Sequence, residues 1–377
     1  MKRPEFCPNF LCKLHRKDNM KKEWFRWHGK YMTKTFGKVQ RFLCTSCKRT
    51  FSIQTFSIDY YAKKKINYRE LLKKLISTSN QRDISRDFKV SLGTVRNKIF
   101  RLSRQALAMH QEMKHYIKDR TDVVADGFES YCVSQYYPNN IHLLALKESQ
   151  YVYYTNYVTI RRKGRMTDAQ KQKREKMEAQ FWAPHKGIED EFSELLDEVA
   201  DISRKSSPRP MILYTDEKHE YARAINKHKV INSLIRQGCF IHNKIPSKKA
   251  RTFTNQLFTV NYLDRQMRKD LADHVRETVC FSRNVNDCME RLAVYFMYHN
   301  YMKLFREKQR HKDQSTHAEV AGIHKNLIRK ALRSIFTRRR FLSLENISGF
   351  VLRLWQRQLF TPLKCRVEYV PQYALAR

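Results

Sequence analysis

After residue 121 the chain changes from helix-type to strand-type patterning, and the order of the segments beyond that point leaves few folds open. Asp122-Val123-Val124-Ala125-Asp126 is an apolar run ending in a carboxylate. Tyr131 to Tyr136 and Ile141 to Leu146 flank the turn signal Pro138-Asn139-Asn140, and Gln150 to Ile160 is a third run dense in β-formers. A charged insertion comes next, then a helix through Phe192, Leu195, Leu196 and Val199. Met211 to Asp216 is a further apolar strand ending in Asp, and a helix begins near Glu220. Cys239 to His242 is a short fifth strand, and a long helix is expected from about Leu263 through Val275.

Three consecutive strands, then helix, strand, helix, strand and helix, is the order of a ribonuclease H-like fold. In such a sheet Asp126 and Asp216 stand side by side, and the last helix brings a third polar group to them. Clustered carboxylates repel one another unless divalent cations, Mg2+ or Mn2+, neutralise them, which is the requirement of two-metal phosphoryl transfer. An Asp at a strand end is, taken singly, also a common helix cap. Asp122 and Glu129 are the nearby decoys. His242, at the end of the fifth strand, suits a phosphate or structural role as well as a catalytic one.

The N-terminal segment carries a different constraint. Cys7 and Cys12 flank four residues, and Cys44 and Cys47 flank two. Two close pairs separated by an excursion of about thirty residues suit tetrahedral Zn2+ in a zinc ribbon, with Trp24, Phe25, Trp27 and Tyr31 as its small core. The first pair is wide, so His15 or His28 is an alternative ligand, and ordinary thiols in a basic arm are the plainer reading.

Between these regions, Tyr68 to Thr78 is an amphipathic helix with Leu71, Leu72, Leu75 and Ile76 on one face. Gln81 to Phe88 is a second helix, and a third starts after the turn Val90-Ser91-Leu92-Gly93. That third helix places Thr94, Arg96, Asn97, Lys98 and Arg101 on its polar side, as the recognition helix of a helix-turn-helix would. A three-helix connector with a solvated basic face is the alternative.

Charge decides what such a chain meets. Its 75 Lys and Arg against 37 Asp and Glu give a net charge of +38 over 377 residues. So large a surplus repels itself unless a polyanion neutralises it, and nucleic acid fits better than a membrane because the charge is spread along the chain. No transmembrane or export segment is visible, and no Gly-rich phosphate loop or Gly-x-Ser-x-Gly elbow. The expectation is a cytoplasmic, nucleoid-associated protein of mixed, multidomain α+β class. Its expected parts are a zinc ribbon over 1–57, a helix-turn-helix over 58–115, a ribonuclease H-like domain over 116–305, and a basic, partly helical C-terminal region over 306–377 that includes Arg338-Arg339-Arg340.

Cys44-x-x-Cys47-Lys48-Arg49-Thr50-Phe51 with the following helix-turn-helix resembles the N-terminal module of small bacterial insertion-sequence transposases that open with a zinc ribbon. Arg276 to Arg283 (RETVCFSR) resembles a segment just beyond the last catalytic acid of that group, so the resemblance covers most of residues 7–300. It implies a DDE-type transposase acting on double-stranded DNA, both element ends and target, as a homo-oligomer. Such enzymes bind terminal inverted repeats, free 3′ ends by hydrolysis and use those hydroxyls to attack target DNA.

The third acid departs from the family pattern, in which a Glu is followed one turn later by an Asn and then by an Arg. Here the stretch is Asn261-Tyr262-Leu263-Asp264-Arg265-Gln266-Met267-Arg268, with acid and amide exchanged. Positions three apart share a helix face, so Asp264 is the expected third ligand and Glu290 the competing one. Arg265, Arg268 and Lys269 would hold scissile-strand phosphates, or form a solvated basic face. Two rival functions stay open: a zinc-dependent DNA-binding regulator or inactive transposase derivative, and a nuclease or resolvase without the joining step.

Overall fold

The computed structural model describes residues 3–9, 11–15, 23–118, 121–205, 209–342 and 347–364. The last stretch of the basic C-terminal region, 365–377, lies outside the described residues. The architecture is mixed α+β, with a small N-terminal sheet, a six-stranded mixed sheet and twelve α-helices among the described residues.

The small sheet consists of β1 (Phe25–Thr33), β2 (Gly37–Cys44) and β3 (Thr50–Ser52), each antiparallel to the next. Its core is Trp24, Phe42 and Phe51 packed around Cys7, Cys12 and Cys44. Trp27, expected in that core, is 49% exposed, and Tyr31 is only half-buried. The cause is the irregular register between Trp27 and Lys30, which changes the face each strand residue presents.

Three helices follow: α1 (Tyr68–Leu75), α2 (Gln81–Asp87) and α3 (Leu92–Lys114). Each begins at a side chain able to accept from free backbone N–H groups, namely Asn67, Asn80 and Ser91. α3 is much longer than its first turns suggest and is buried along most of its length.

The large sheet is built from β4 (Val123–Tyr131), β5 (Pro138–Leu146), β6 (Val152–Thr155), β7 (Val158–Thr159), and, after α4 (Asp168–Glu178) and α5 (Gly187–Ser203), β8 (Met211–Asp216). Helices α6 (His219–Lys227) and α7 (Lys229–Arg236) lead to β9 (Phe240–Ile245). Its order is β6-β5-β4-β8-β9, with β7 also on β5. Neighbours among β4 to β7 are antiparallel, whereas β8 is parallel to β4 and β9 to β8. Several boundaries differ from the sequence reading. The helix expected from about Leu263 through Val275 is Phe258–Asp270, where extended backbone at Leu271 ends it, and the strand expected from Tyr131 to Tyr136 is not formed beyond Tyr131. Pro138-Asn139-Asn140 is strand rather than turn, because both Asn side chains are fully buried opposite Ser130 and Glu129, and the reversal falls at 132–137. Strand β4 also runs on beyond Asp126 to Tyr131, held by its antiparallel pairing with β5.

Helices α8 (Phe258–Asp270) and α9 (Val285–Tyr301) come next, and α9 lies along α3. The chain closes with α10 (His317–Val320), α11 (Lys325–Ile335) and α12 (Gly349–Trp355). One hydrophobic core runs through residues from Ile58 to Leu354. The basic triplet in the C-terminal region is not a loose phosphate contact. Arg338 pairs with Glu5, Arg340 with Glu112, and Arg339 is buried against the Tyr60 ring.

A buried ion pair between Lys114 of α3 and Glu198 of α5, at 2.5 Å, ties the helices to one another. Removing one partner leaves an uncompensated charge in the core, which typically costs about 3–5 kcal/mol. Lys114→Ala is expected to lose stability on that scale in denaturant unfolding, and Lys114→Met combined with Glu198→Leu to recover most of it. Equal losses in the single and double variants would show that the pair itself matters little.

Candidate functional site

The site is set by how β4 and β8 meet. Their parallel register is Val123 with Leu213 and Val124 with Tyr214, which puts Asp126 level with Asp216 two residues further on. Pairing between these strands stops at that point, while β4 stays on β5 and β8 stays on β9 to its last residue. The strands therefore part where the two carboxylates stand. Helix α8 packs on β4 and β5 and carries Asp264, which feels the charge of Asp126 as Asp126 feels that of Asp216. All three carboxylates are half-buried.

Two carboxyls here resist ionising. Burial, and then the neighbouring Asp216, push Asp126 up to about 6, against the donated Gly127 N–H and the charges of Lys218 and Arg251. Burial, and then Asp126, push Asp264 up to about 7, against Arg268 and Arg251. Asp216 accepts the Lys218 backbone N–H at 3.1 Å. Gly127, next to Asp126, has no room for a side chain: a Cβ there would lie 2.2 Å from the Asn140 side chain. The oxygen-only donor set suits Mg2+ or Mn2+. The acids are more widely spaced than the cysteines. Among the described residues only two groups bring three or more such ligand atoms within 4.8 Å: the four N-terminal cysteines, and Asp273 with His274 and Cys288.

The other expected acids lie elsewhere. Asp122 is buried and accepts from Arg209 at 2.9 Å and from the Ile212 N–H at 3.1 Å, so it braces β8 against β4. Glu290 is buried in α9, 3.4 Å from Arg357, and belongs to the helical layer rather than to the strand mouth. Glu129 is exposed. His242 meets the Thr215 hydroxyl at 2.9 Å, and burial and Lys244 lower it to about 4.

Around the acids, Arg265 and Lys269 project from α8 into solvent. Arg268 is committed to the protein instead: it stacks on Phe128 at 4.6 Å and donates to the Glu129 carbonyl at 3.0 Å. Lys218 and Arg251, both charged neighbours of Asp126, were not singled out from sequence. Each sits in a connection between elements, where no periodicity marks a functional side chain.

Cys7, Cys12, Cys44 and Cys47 converge, with Cys7 Sγ 3.7 Å from Cys47 Sγ and Cys12 Sγ 3.8 Å from Cys44 Sγ. These are the separations of ligands around a tetrahedral zinc ion, and the buried quartet is able to hold one. Burial pushes the Cys7 thiol up. Burial acts the same way on Cys47, but donors from Arg49 and Asn9 and the adjacent Cys7 bring it down to about 7. His15 is not needed as a ligand: its Nδ1 lies 2.8 Å from the Cys7 carbonyl, and His28 is exposed.

The polar side expected for α3 divides in two. Arg96 and Asn97 are exposed, and Thr94 is half-buried beside the Ser91 cap. Lys98 is 1% exposed, ion-paired with Asp59 and set over the Tyr68 ring. Arg101 is also buried, donating to the Ile58 carbonyl at 3.0 Å and stacking on Tyr60. Both face inward because the segment 58–60 covers that side of α3. No family model matches the chain, and no curated protein matches it.

The raised carboxyls link charge to stability. A folded value above the ordinary one means that the folded state holds its proton more tightly, so stability is lost as pH rises from about 4 through about 7. In metal-free protein at pH 8, Asp264→Asn is expected to raise the melting temperature by about 2–6 °C, with the gain shrinking towards pH 4. Added Mg2+ should stabilise the wild type at pH 8 more than the variant. A variant less stable than wild type at pH 8 would contradict this electrostatic account.

Proposed function

We propose that this protein is a DNA transposase of the DDE type, in which Asp126, Asp216 and Asp264 form the catalytic acid set. The single observation that carries the reading is the register-matched pair Asp126 and Asp216 at the parting of β4 and β8, with Asp264 facing Asp126 from α8. On this reading the mixed sheet with its flanking helices is a ribonuclease H-like domain. The four-cysteine sheet is a zinc ribbon, and α2 and α3 form a helix-turn-helix.

The roles of the residues depend on where they stand. Asp126, Asp216 and Asp264 would hold Mg2+ or Mn2+, whose charge activates the attacking water or 3′ hydroxyl and offsets charge on the leaving oxygen. Burial and a neighbouring carboxylate raise Asp126 and Asp264, and a cation bound between the acids would favour their charged forms. Lys218, Arg251, Arg265 and Lys269 supply positive charge for a DNA backbone beside the acids, while Arg96 and Asn97 are the α3 side chains exposed to base edges. The partner is double-stranded DNA, both element ends and target. Joining two ends calls for a homo-oligomer. Association with the nucleoid accords with the net charge of +38. Among the described residues no helix is long and apolar enough to cross a membrane.

A regulator or inactive derivative keeps one specific observation in its favour. The third acid is the short Asp264, and the amide Asn261 stands one turn earlier on the same helix. Cleavage of labelled duplexes bearing the DNA that flanks the gene, with Mg2+ or Mn2+, separates the readings. Wild type is expected to nick these duplexes, and Asp216→Asn to lose at least about a thousandfold in rate while binding DNA unchanged. Binding without nicking in either metal would identify the regulator, and nicking without strand transfer into a second duplex would identify a nuclease.

A further inference from the structure

A second group of metal-type side chains lies in the core, away from both the acids and the N-terminal cysteines. Asp273 and His274 come from the connection between α8 and α9, and Cys288 comes from the first turn of α9. All three are buried, with ligand atoms within 4.8 Å of one another. Cys132, buried just beyond the end of β4, is an electrostatic neighbour of Cys288 but does not belong to the group of close ligand atoms.

The distances suit an ion between these groups better than direct contact. His274 Nε2 is 3.6 Å from Asp273 Oδ2 and 3.9 Å from Cys288 Sγ. An N···O separation of 3.6 Å is too long for a hydrogen bond. Zinc bonds of about 2.0–2.3 Å place tetrahedral ligands about 3.3–3.8 Å apart, close to the spacing seen here. The N-terminal quartet, a set fit for zinc, shows 3.7 and 3.8 Å.

The surroundings are those of oriented ligands. His274 Nδ1 meets the Ser130 hydroxyl at 3.1 Å, which leaves Nε2 turned to the cluster. Asp273 accepts from Arg291 at 2.6 Å. With Zn2+ bound, the Cys288 thiol would give up its proton to solvent, and its thiolate and the Asp273 carboxylate would offset the charge of the ion. A polar cleft of about 330 Å³, lined by Asp273, Ser282 and Arg291 together with Arg96 of α3, gives a route in from solvent.

We propose that Asp273, His274 and Cys288 bind a second zinc ion, with water as its fourth ligand. It fastens the chain leaving α8 to the first turn of α9, His274 also meets Ser130 of β4, and Arg268 of α8 lies 3.5 Å from the His274 carbonyl. The ion thereby steadies the helix that carries Asp264. This site is independent of the transposase reading, since it concerns what the core holds and not what the acids do.

Metal analysis of the full chain purified with zinc tests it. Wild type is expected to carry two zinc ions per chain. The double variant Cys44→Ser, Cys47→Ser, which leaves the core untouched, should retain one. Cobalt substituted into that variant should give tetrahedral d–d bands and a thiolate charge-transfer band weaker than four thiolates produce. His274→Ala with Cys288→Ser should retain only the N-terminal ion. A single zinc in wild type, none in the N-terminal variant, or two in the core variant would each overturn the proposal. So would a thiol titration after unfolding showing Cys132 and Cys288 joined as a disulfide. Should the core variant fail to fold, the wild-type count and the N-terminal variant still decide the matter.

Discussion

Two register pairs, Val123 with Leu213 and Val124 with Tyr214, are the contact on which the candidate site depends. They are short, yet they align Asp126 with Asp216, and every other feature of the site is arranged around that alignment. A slip of one residue in either strand would turn its carboxylate to the opposite face of the sheet. Strand β4 cannot slip easily, because its whole length is paired with β5, and Gly127 fits against Asn140 with no space for a Cβ. Strand β8 is held by six register pairs with β9, and Asp122 grips the Ile212 N–H at the entry to the pairing. The parting of β4 from β8 beyond these pairs is what opens room beside the acids.

On the proposed reading the positive charge serves two ends. Part of it is structural: Lys98 and Lys114 are buried against Asp59 and Glu198, and the half-buried Arg291 pairs with Asp273. Arg101 and Arg339 are buried against the Tyr60 ring. Such cations cannot meet DNA without unmaking the core, and leaving their partners unpaired would be costly. What would remain for a polyanion is the exposed set, including Arg96, Arg265 and Lys269. Net charge alone thus overstates the binding surface, although a surplus this large persists after the buried pairs are set aside.

The N-terminal sheet and the C-terminal region depend on each other. Phe6 and Phe56 both meet Phe341 edge-on or tilted, Ile58 donates to the Thr337 carbonyl, and Arg339 donates to that of Phe56. The six buried residues of the N-terminal core are few for a unit on its own; the C-terminal clasp adds contacts to it, and the four cysteines are able to add a metal ion. The same clasp covers α3, which explains why half of its apparent polar face is internal.

Local pattern was enough to find most of the apolar strands between Asp122 and Ile245, the N-terminal cysteine pairs, and Asp126 and Asp216 as acids after apolar runs, because periodicity and spacing are properties of neighbouring residues. It missed α4 in the charged insertion and set α8 several residues late. Asp264 was legible only through the resemblance, from its place one turn after Asn261. Everything that depends on which elements lie against which was decided by tertiary structure. Pro138-Asn139-Asn140 reads as a turn and becomes a buried strand because β4 needs a partner there. Lys98 and Arg101 read as DNA contacts and become core cations because segment 58–60 lies over them. Arg268 reads as a phosphate ligand and stacks on Phe128, whereas Lys218 and Arg251, unmarked in any local pattern, stand beside Asp126. Glu290 and Asp264 are equally acidic in sequence, and only the packing of α8 on the sheet and of α9 on α3 separates the residue at the site from the residue in the core. A sequence records the type and order of its groups. Contacts between residues far apart in the chain are set by how the faces pack, and that information is spread over the whole molecule.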